Sequence, residues 1–144
     1  MSKDYFDPTV ATWVVHALAT IVGWVAILEG LVITFGAHER LEEGIFETAL
    51  KIPGSPPTWG IGILLIGIAI IVGLMFKLQT ITSYAMIVGT VWSVSLVTSF
   101  AINVFTQDNS DLTGIVMYAF LALIFAVLGA VYRDSAKSVR RKKI

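Results

Sequence analysis

The sequence predicts an all-α integral membrane protein, a four-helix bundle with one short amphipathic helix on its outer surface. Hydrophobic residues make up 56% of the 144 positions and charged residues only 14%, whereas a soluble domain carries roughly 25% charged residues. Four apolar runs, 12–36, 59–76, 80–104 and 112–132, are each near the length of about 20 residues that crosses a hydrocarbon core. Buried helices of a soluble protein would need polar faces that these runs lack. We therefore expect residues 1–144 to form a single transmembrane domain.

The distribution of basic residues predicts the orientation of this domain. An even number of spans places both termini on the same side, and of the ten Lys and Arg residues only Arg40 and Lys51 fall on the opposite side. Lys and Arg concentrate in cytoplasmic loops, so we expect both termini in the cytoplasm and the protein in the inner (plasma) membrane. The first run ends without a clean cleavage site and is expected to remain as a membrane helix.

Two polar segments outside the spans are expected to lie on the membrane surface. Residues 38–51 place Leu41, Ile45 and Phe46 on one helical face and acidic residues elsewhere, which predicts the amphipathic outer helix. The tail 133–144 is basic and is expected to bind anionic lipid headgroups. Its last basic cluster consists of Arg140, Arg141, Lys142 and Lys143. Nucleic-acid binding is not expected, because no aromatic residues are interleaved with these charges.

Small residues at helical spacing predict the faces through which the spans pack, since close backbone approach drives helix association in lipid. These residues are Gly23, Ala26 and Gly30 in the first span, Ala69 and Gly73 in the second, and Ala122, Ala126 and Ala130 in the fourth. Packing within one subunit is the simpler interpretation. Assembly of several copies, or contact with other membrane helices, is the alternative.

Two ionisable residues lie within the first span. Glu29 stands just beyond its midpoint, where a charged side chain costs about 2.5–3.5 kcal/mol, and no span contains a Lys or Arg to pair with it. We expect its carboxyl group to be protonated and hydrogen-bonded, or to contact water. His16 lies near the inner end, about 140° around the helix from Glu29, so the two are not a pair. Possible polar partners of Glu29, or residues lining a pore, are Ser95, Thr98, Ser99, Asn103 and Tyr118.

The motifs of familiar enzyme classes are missing from the sequence, so we expect a non-enzymatic protein without a metal or cofactor. There is no cysteine, which excludes thiolate metal sites and a cysteine nucleophile. The pair His38-Glu39 lacks a second histidine four residues beyond the first, so it is not a zinc-protease motif. Glycines 60, 62 and 67 have the wrong spacing for a dinucleotide-binding loop and lie within a span.

The pattern of four spans, helices rich in small residues and a basic tail resembles the small four-span holin-like membrane proteins of bacteriophages. The resemblance covers the whole chain as a pattern of spans and rests on no residue motif. It implies monomers that accumulate in the inner membrane and assemble as homo-oligomers into a lesion. The polar face of the third span would then line the opening.

Two other functions remain open at this point. Small multidrug transporters also have four spans and an essential glutamate in the first, so Glu29 is also consistent with a small proton-coupled transporter. The first outer loop is longer here than in that family, which argues against transferring a substrate. The remaining alternative is an accessory subunit of a larger membrane complex, in which Glu29 and the small-residue faces contact a partner helix.

Overall fold

A computed structural model describes three stretches of the chain, residues 8–35, 57–106 and 112–141, and they form four α-helices. The helices are α1 (Pro8–Phe35), α2 (Pro57–Met75), α3 (Gln79–Thr106) and α4 (Thr113–Arg141). Each is long and apolar enough to cross a membrane. The predicted all-α fold with four such helices is therefore confirmed. The amphipathic helix predicted at 38–51 lies outside the described residues.

The helix ends follow local chemistry. Pro8 and Pro57 each open a helix, a position where the missing N–H group of proline has no intrahelical partner to lose. α4 continues through Arg141, nine residues beyond the predicted end of the fourth span at 132, so the basic tail begins as an extension of that helix. Lys142 and Lys143 lie outside the described residues.

A tight turn joins α2 to α3. Leu78 N–H donates to Gly73 O at 2.8 Å and Lys77 N–H donates to Leu74 O at 3.2 Å, which is the hydrogen-bond pattern of a Schellman motif. A Schellman motif requires a residue in the left-handed conformation just beyond the helix end, and Lys77 adopts that conformation with a φ of 55°. The turn makes α2 and α3 antiparallel neighbours. We call the end of the bundle that carries this turn the turn end, and the opposite end the loop end.

Close backbone approach holds α1 against α2. A Cβ atom added at Gly30 would lie 2.6 Å from Leu64 N and 2.8 Å from Gly60 O, and one added at Gly67 would lie 2.8 Å from Gly23 O. Two pairs of glycines, one from each helix, therefore face each other along this contact. In lipid, such approach replaces the hydrophobic effect as the source of helix association.

The bundle consists of two hairpins, α1–α2 and α3–α4, and the helix pairs differ in how extensively they contact each other. α1 packs mainly on α2 and α3 packs mainly on α4. The hairpins contact each other through α2 and α3, whereas α1 and α4 meet at only a few points. Within the second hairpin the Ser83 hydroxyl donates to Gly129 O at 3.1 Å, a buried bond between the two helices. Side chains from all four helices still share one core, which includes Ala26, Ile70, Met86 and Phe125, each fully buried.

Candidate functional site

Glu29 lies between the two hairpins, on the side of α1 that meets α4. Its side chain is half-buried, and the Tyr118 hydroxyl of α4 donates a hydrogen bond to its carboxyl group. Tyr118 is itself only 4% exposed. This contact is one of the few between α1 and α4. Of the residues that the sequence places at the depth of Glu29, the structure brings Tyr118 to it.

An aromatic cluster surrounds the tyrosine. The Tyr118 ring stacks on Phe100, with ring centroids 5.4 Å apart and an interplanar angle of 17°. Leu96 completes the buried part of this cluster, and Trp59 and Trp92 pack against it at a mutual centroid distance of 4.8 Å. Offset and tilted arrangements of this kind are the favourable geometries of aromatic rings. The phenol that reaches Glu29 is therefore held by packing from α2 and α3 as well as α4.

Some buried polar atoms in the described part of the bundle have no hydrogen-bond partner. They are Glu29 Oε1, Trp92 Nε1 and Ser93 Oγ. Tyr118 thus satisfies the Glu29 carboxyl group only in part, and one oxygen remains an open acceptor. Unsatisfied polar groups cost several kcal/mol in an environment without water. The described bundle therefore contains polar groups that are stabilised when water or another polar group reaches them.

The hydroxyl groups of α3 that were possible partners of Glu29 bond to their own helix instead. Ser95 Oγ donates to Val91 O at 2.9 Å, Thr98 Oγ1 to Val94 O at 2.9 Å, and Ser99 Oγ to Ser95 O at 3.0 Å. Back-bonding of this kind satisfies a hydroxyl group in lipid without a second helix. The side chain of Asn103 lies outside the described part of the structure.

His16 marks a second contact between α1 and α4, at the turn end. Its Nδ1 atom lies 3.4 Å from the Tyr132 hydroxyl, and its backbone carbonyl accepts a bond from Thr20 Oγ1 at 2.8 Å. His16 and Tyr132 line a cleft of about 240 Å³, together with Lys77, Gln79 and Thr82. The sequence placed His16 near this end but did not indicate Tyr132 as its neighbour. A signal was present, because the 14-residue spacing of Tyr118 and Tyr132 puts both on nearly the same face of α4.

The small residues selected from the sequence occupy two kinds of position. Gly23, Ala26 and Gly30 are buried in the bundle, as are Gly73, next to Thr82 of α3, and Ala122 of α4, while Ala69 is half-buried. Ala126 and Ala130 are exposed. Gly60 and Gly67, which face the glycines of α1, matter more to helix packing than the spacing alone indicated.

The chemistry available at the site is that of one carboxyl group and one phenol. In the described residues no three His, Asp or Glu side chains come together to hold a metal ion. Glu29 can accept or release a proton, or accept a hydrogen bond from water at its open oxygen. Comparison with known proteins found no matching family model, no similar curated protein and no similar solved structure.

Proposed function

We propose that the protein is a non-enzymatic, multi-pass inner-membrane protein that permeabilises the membrane as a homo-oligomer, in the manner of a holin. The four apolar helices would cross the bilayer with the turn end and both termini in the cytoplasm. The observation that carries the proposal is the partly satisfied carboxyl group of Glu29 at the seam between α1 and α4, where the two helices meet at only a few points. A carboxyl group in that position favours any arrangement that brings water to it.

Separation of α1 from α4 along this seam is the step that would open the membrane, with α2 and α3 remaining in contact. It would break the Glu29–Tyr118 bond, expose Glu29 Oε1 to water and leave each hairpin held together by its own contacts, the glycine pairs in one and the Ser83–Gly129 bond in the other. Several copies that open together could line a continuous wet path with these polar surfaces. A single copy has too few polar groups for that, which is why assembly is part of the proposal.

Vesicles of bacterial phospholipid loaded with a self-quenching dye provide the test. The purified full chain should release the dye, and the release should rise steeply with the number of copies per vesicle. Glu29→Gln should insert normally and release little dye. Thr98→Val is the matched control, since the Thr98 hydroxyl bonds only to its own helix at a similar depth. Correctly inserted wild-type protein that releases no dye at any density would refute the proposal.

A second candidate, a small proton-coupled transporter, is favoured by one specific observation. α1 and α4 are joined at the loop end by Glu29 and Tyr118 and at the turn end by His16 and Tyr132. Two polar contacts at opposite ends of one seam could open alternately as the hairpins rock. A transporter would move protons into vesicles without releasing a trapped dye, so a pH-sensitive dye in parallel vesicles separates the two functions.

A further inference from the structure

A continuous groove runs along the exposed side of the α3–α4 hairpin, away from Glu29. The part nearest the turn end has a volume of about 350 Å³. The deeper part, which lies farther from the turn end along the helices, has a volume of about 370 Å³, and the two parts share Ile87, Arg133 and Lys137. Volumes of this size are typical of small-molecule sites. We call this feature the α3–α4 groove. Its principal lining residues are Thr80, Tyr84, Val91, Ala126 and Ala130, together with the three shared ones.

The groove exists because the two helices approach closely at its floor and carry small residues above it. The Ser83 hydroxyl donates to Gly129 O at 3.1 Å, and a Cβ atom added at Gly129 would lie 3.2 Å from Met86 Cβ. Ala126 and Ala130 flank that contact on α4 and are exposed. Their short side chains leave an open channel between the flanking larger side chains of the two helices.

The chemistry changes along the groove. At the turn end, the cations Arg133 and Lys137 converge with the hydroxyl-bearing side chains of Thr80 and Tyr84. Deeper in, the same two cations and Thr90 supply polar groups, and the rest of the lining is mainly apolar, with Ile87, Val91 and the two alanines. Asp134 also lines the deeper part, so two cations and one acid leave a net charge of +1. A ligand that fits has an anionic end and an apolar chain.

We propose that the α3–α4 groove binds one anionic phospholipid, with its phosphate at Arg133 and Lys137 and an acyl chain along Ile87, Val91 and the alanines. The guanidinium group offers a fork of donors that matches phosphate oxygens, and the ammonium group adds a point charge. The long stems of both side chains can follow the apolar surface while the charges reach the interface. The proposal rests on the membrane insertion proposed above, but not on permeabilisation.

Charge favours a lipid over a second copy of the chain in this groove. Copies inserted in the same orientation would bring their Arg133 and Lys137 side chains to the same depth, where like charges repel. An anionic phosphate removes that repulsion by neutralising the cations. Arg133 and Lys137 belong to the basic tail that the sequence predicts to bind anionic headgroups, and the groove beside them adds a defined channel for an acyl chain.

Lipid binding to the full chain in detergent can be counted by native mass spectrometry during titration with phosphatidylglycerol or phosphatidylcholine of identical acyl chains. One phosphatidylglycerol should bind per chain, at least about fivefold more tightly than phosphatidylcholine, as expected for even one effective charge contact at a membrane surface. The double variant Arg133→Gln/Lys137→Gln should lose this preference. Lys77→Gln, which removes an exposed cation at the same end but outside the groove, should keep it.

A second pair of variants tests the acyl part of the groove. Ala130→Leu fills the channel and should weaken binding of both lipids, whereas Ala119→Leu, at an exposed alanine of the same helix that lines neither part of the groove, should not. Equal affinity of the wild type for the two lipids would refute the proposal. An unchanged preference in the double variant, or a lipid-free dimer that depends on Ala130, would do the same.

Two further measurements separate a lipid site from other causes. Soluble glycerophosphate should not displace the bound lipid, and displacement would identify a free-phosphate site instead. Resistance to alkaline extraction from membranes checks that each variant inserts, and the single variants Arg133→Gln and Lys137→Gln supply the comparison should the double variant fail this check. Because no dye release is measured, a negative result here leaves the permeabilisation proposal untouched, and failure to permeabilise leaves the lipid site untouched.

Discussion

The two contacts between α1 and α4 pair a tyrosine with an ionisable side chain in very different surroundings. At the loop end, Tyr118 is 4% exposed, stacks on Phe100 and donates to the half-buried Glu29. At the turn end, Tyr132 is 8% exposed, but its partner His16 is exposed. The Tyr132 hydroxyl lies 3.4 Å from His16 Nδ1, and an open cleft adjoins the pair. The loop-end contact is fixed by the packing around it, and the turn-end contact depends on one long hydrogen bond.

The difference indicates how the seam between the hairpins should behave. A phenol clamped by aromatic rings from neighbouring helices has one position, so its bond to Glu29 forms whenever the bundle is closed. Tyr132 packs into the shared core, but its partner His16 is exposed beside the cleft, and water can replace the imidazole as the hydrogen-bond partner of Tyr132 at little cost. The turn end is therefore expected to open more readily, and the loop end to control whether the seam stays closed.

The largest expected difference between the two ends is in permeabilisation. Glu29→Gln removes the ionisable group that water would reach, and dye release should fall to the background measured with dye-loaded vesicles that contain no protein. His16→Gln should retain most of the release, because His16 is exposed beside an open cleft and its contact with Tyr132 is one long hydrogen bond. Release by both variants at the wild-type rate would mean that neither end controls opening.

Solvent access should also distinguish the two ends strongly. The chain contains no cysteine, so His16→Cys and Glu29→Cys each introduce a single thiol. A water-soluble maleimide applied to protein in vesicles with both faces accessible should label the thiol at 16 quickly and the one at 29 slowly. Fast labelling at 29 in the closed protein would contradict its enclosure.

The same approach applied to intact cells tests the orientation, with Ser55→Cys and Asn109→Cys expected to react and Ser138→Cys expected to react only after lysis.

A smaller difference is expected in stability. Tyr118→Phe leaves a buried carboxyl group without its donor and should lower the free energy of unfolding by about 1–3 kcal/mol. Tyr132→Phe removes one long bond and should cost no more than about 0.6 kcal/mol, the average for hydrogen bonds within membranes. Denaturation of the two variants in bicelles gives both values. Equal losses would show that the surroundings of the two tyrosines do not matter.

The smallest effect concerns the turn beside the open cleft. Lys77 adopts a left-handed conformation that costs a non-glycine residue about 1–2 kcal/mol. Lys77→Gly removes that cost but adds chain entropy to the unfolded state, so a net stabilisation of about 0.5–1 kcal/mol is expected. Lys77→Ala retains the Cβ atom and should give no such gain in the same denaturation measurement, which makes it the control. A destabilised glycine variant would show that the lysine side chain stabilises the turn.

Sequence reasoning located the helices and the depth of each residue, but not the directions in which the helices face each other. Apolar length identified all four helices, and counting along them put Tyr118 at the level of Glu29. The same counting made Ser95 and Ser99 equally good candidates as partners of Glu29, because depth alone does not reveal that a hydroxyl group will bond to its own helix. The rotation of each helix about its axis is set by packing between helices, which no single helix encodes.

The glycines and alanines illustrate the same limit. A spacing of four or seven identifies a face on one helix, and Gly23 and Gly30 do lie in a helix contact. Their partners Gly60 and Gly67 could be chosen only once the antiparallel register of α1 and α2 was known. Ala126 and Ala130 have an equally regular spacing, yet they lie in an exposed groove. Small side chains make either a close contact or a space, and the neighbouring helix decides which.

The contact between Glu29 and Tyr118 has a consequence for the synthesis of the protein. The tyrosine follows the glutamate by 89 positions (118 minus 29). At about 5–20 residues per second, the ribosome needs on the order of 4–18 s to add it. Throughout that interval α1 must hold a carboxyl group in the membrane without its eventual donor, supported by its own apolar residues and by α2. Slow elongation after the first hairpin therefore prolongs the interval in which Glu29 lacks its donor.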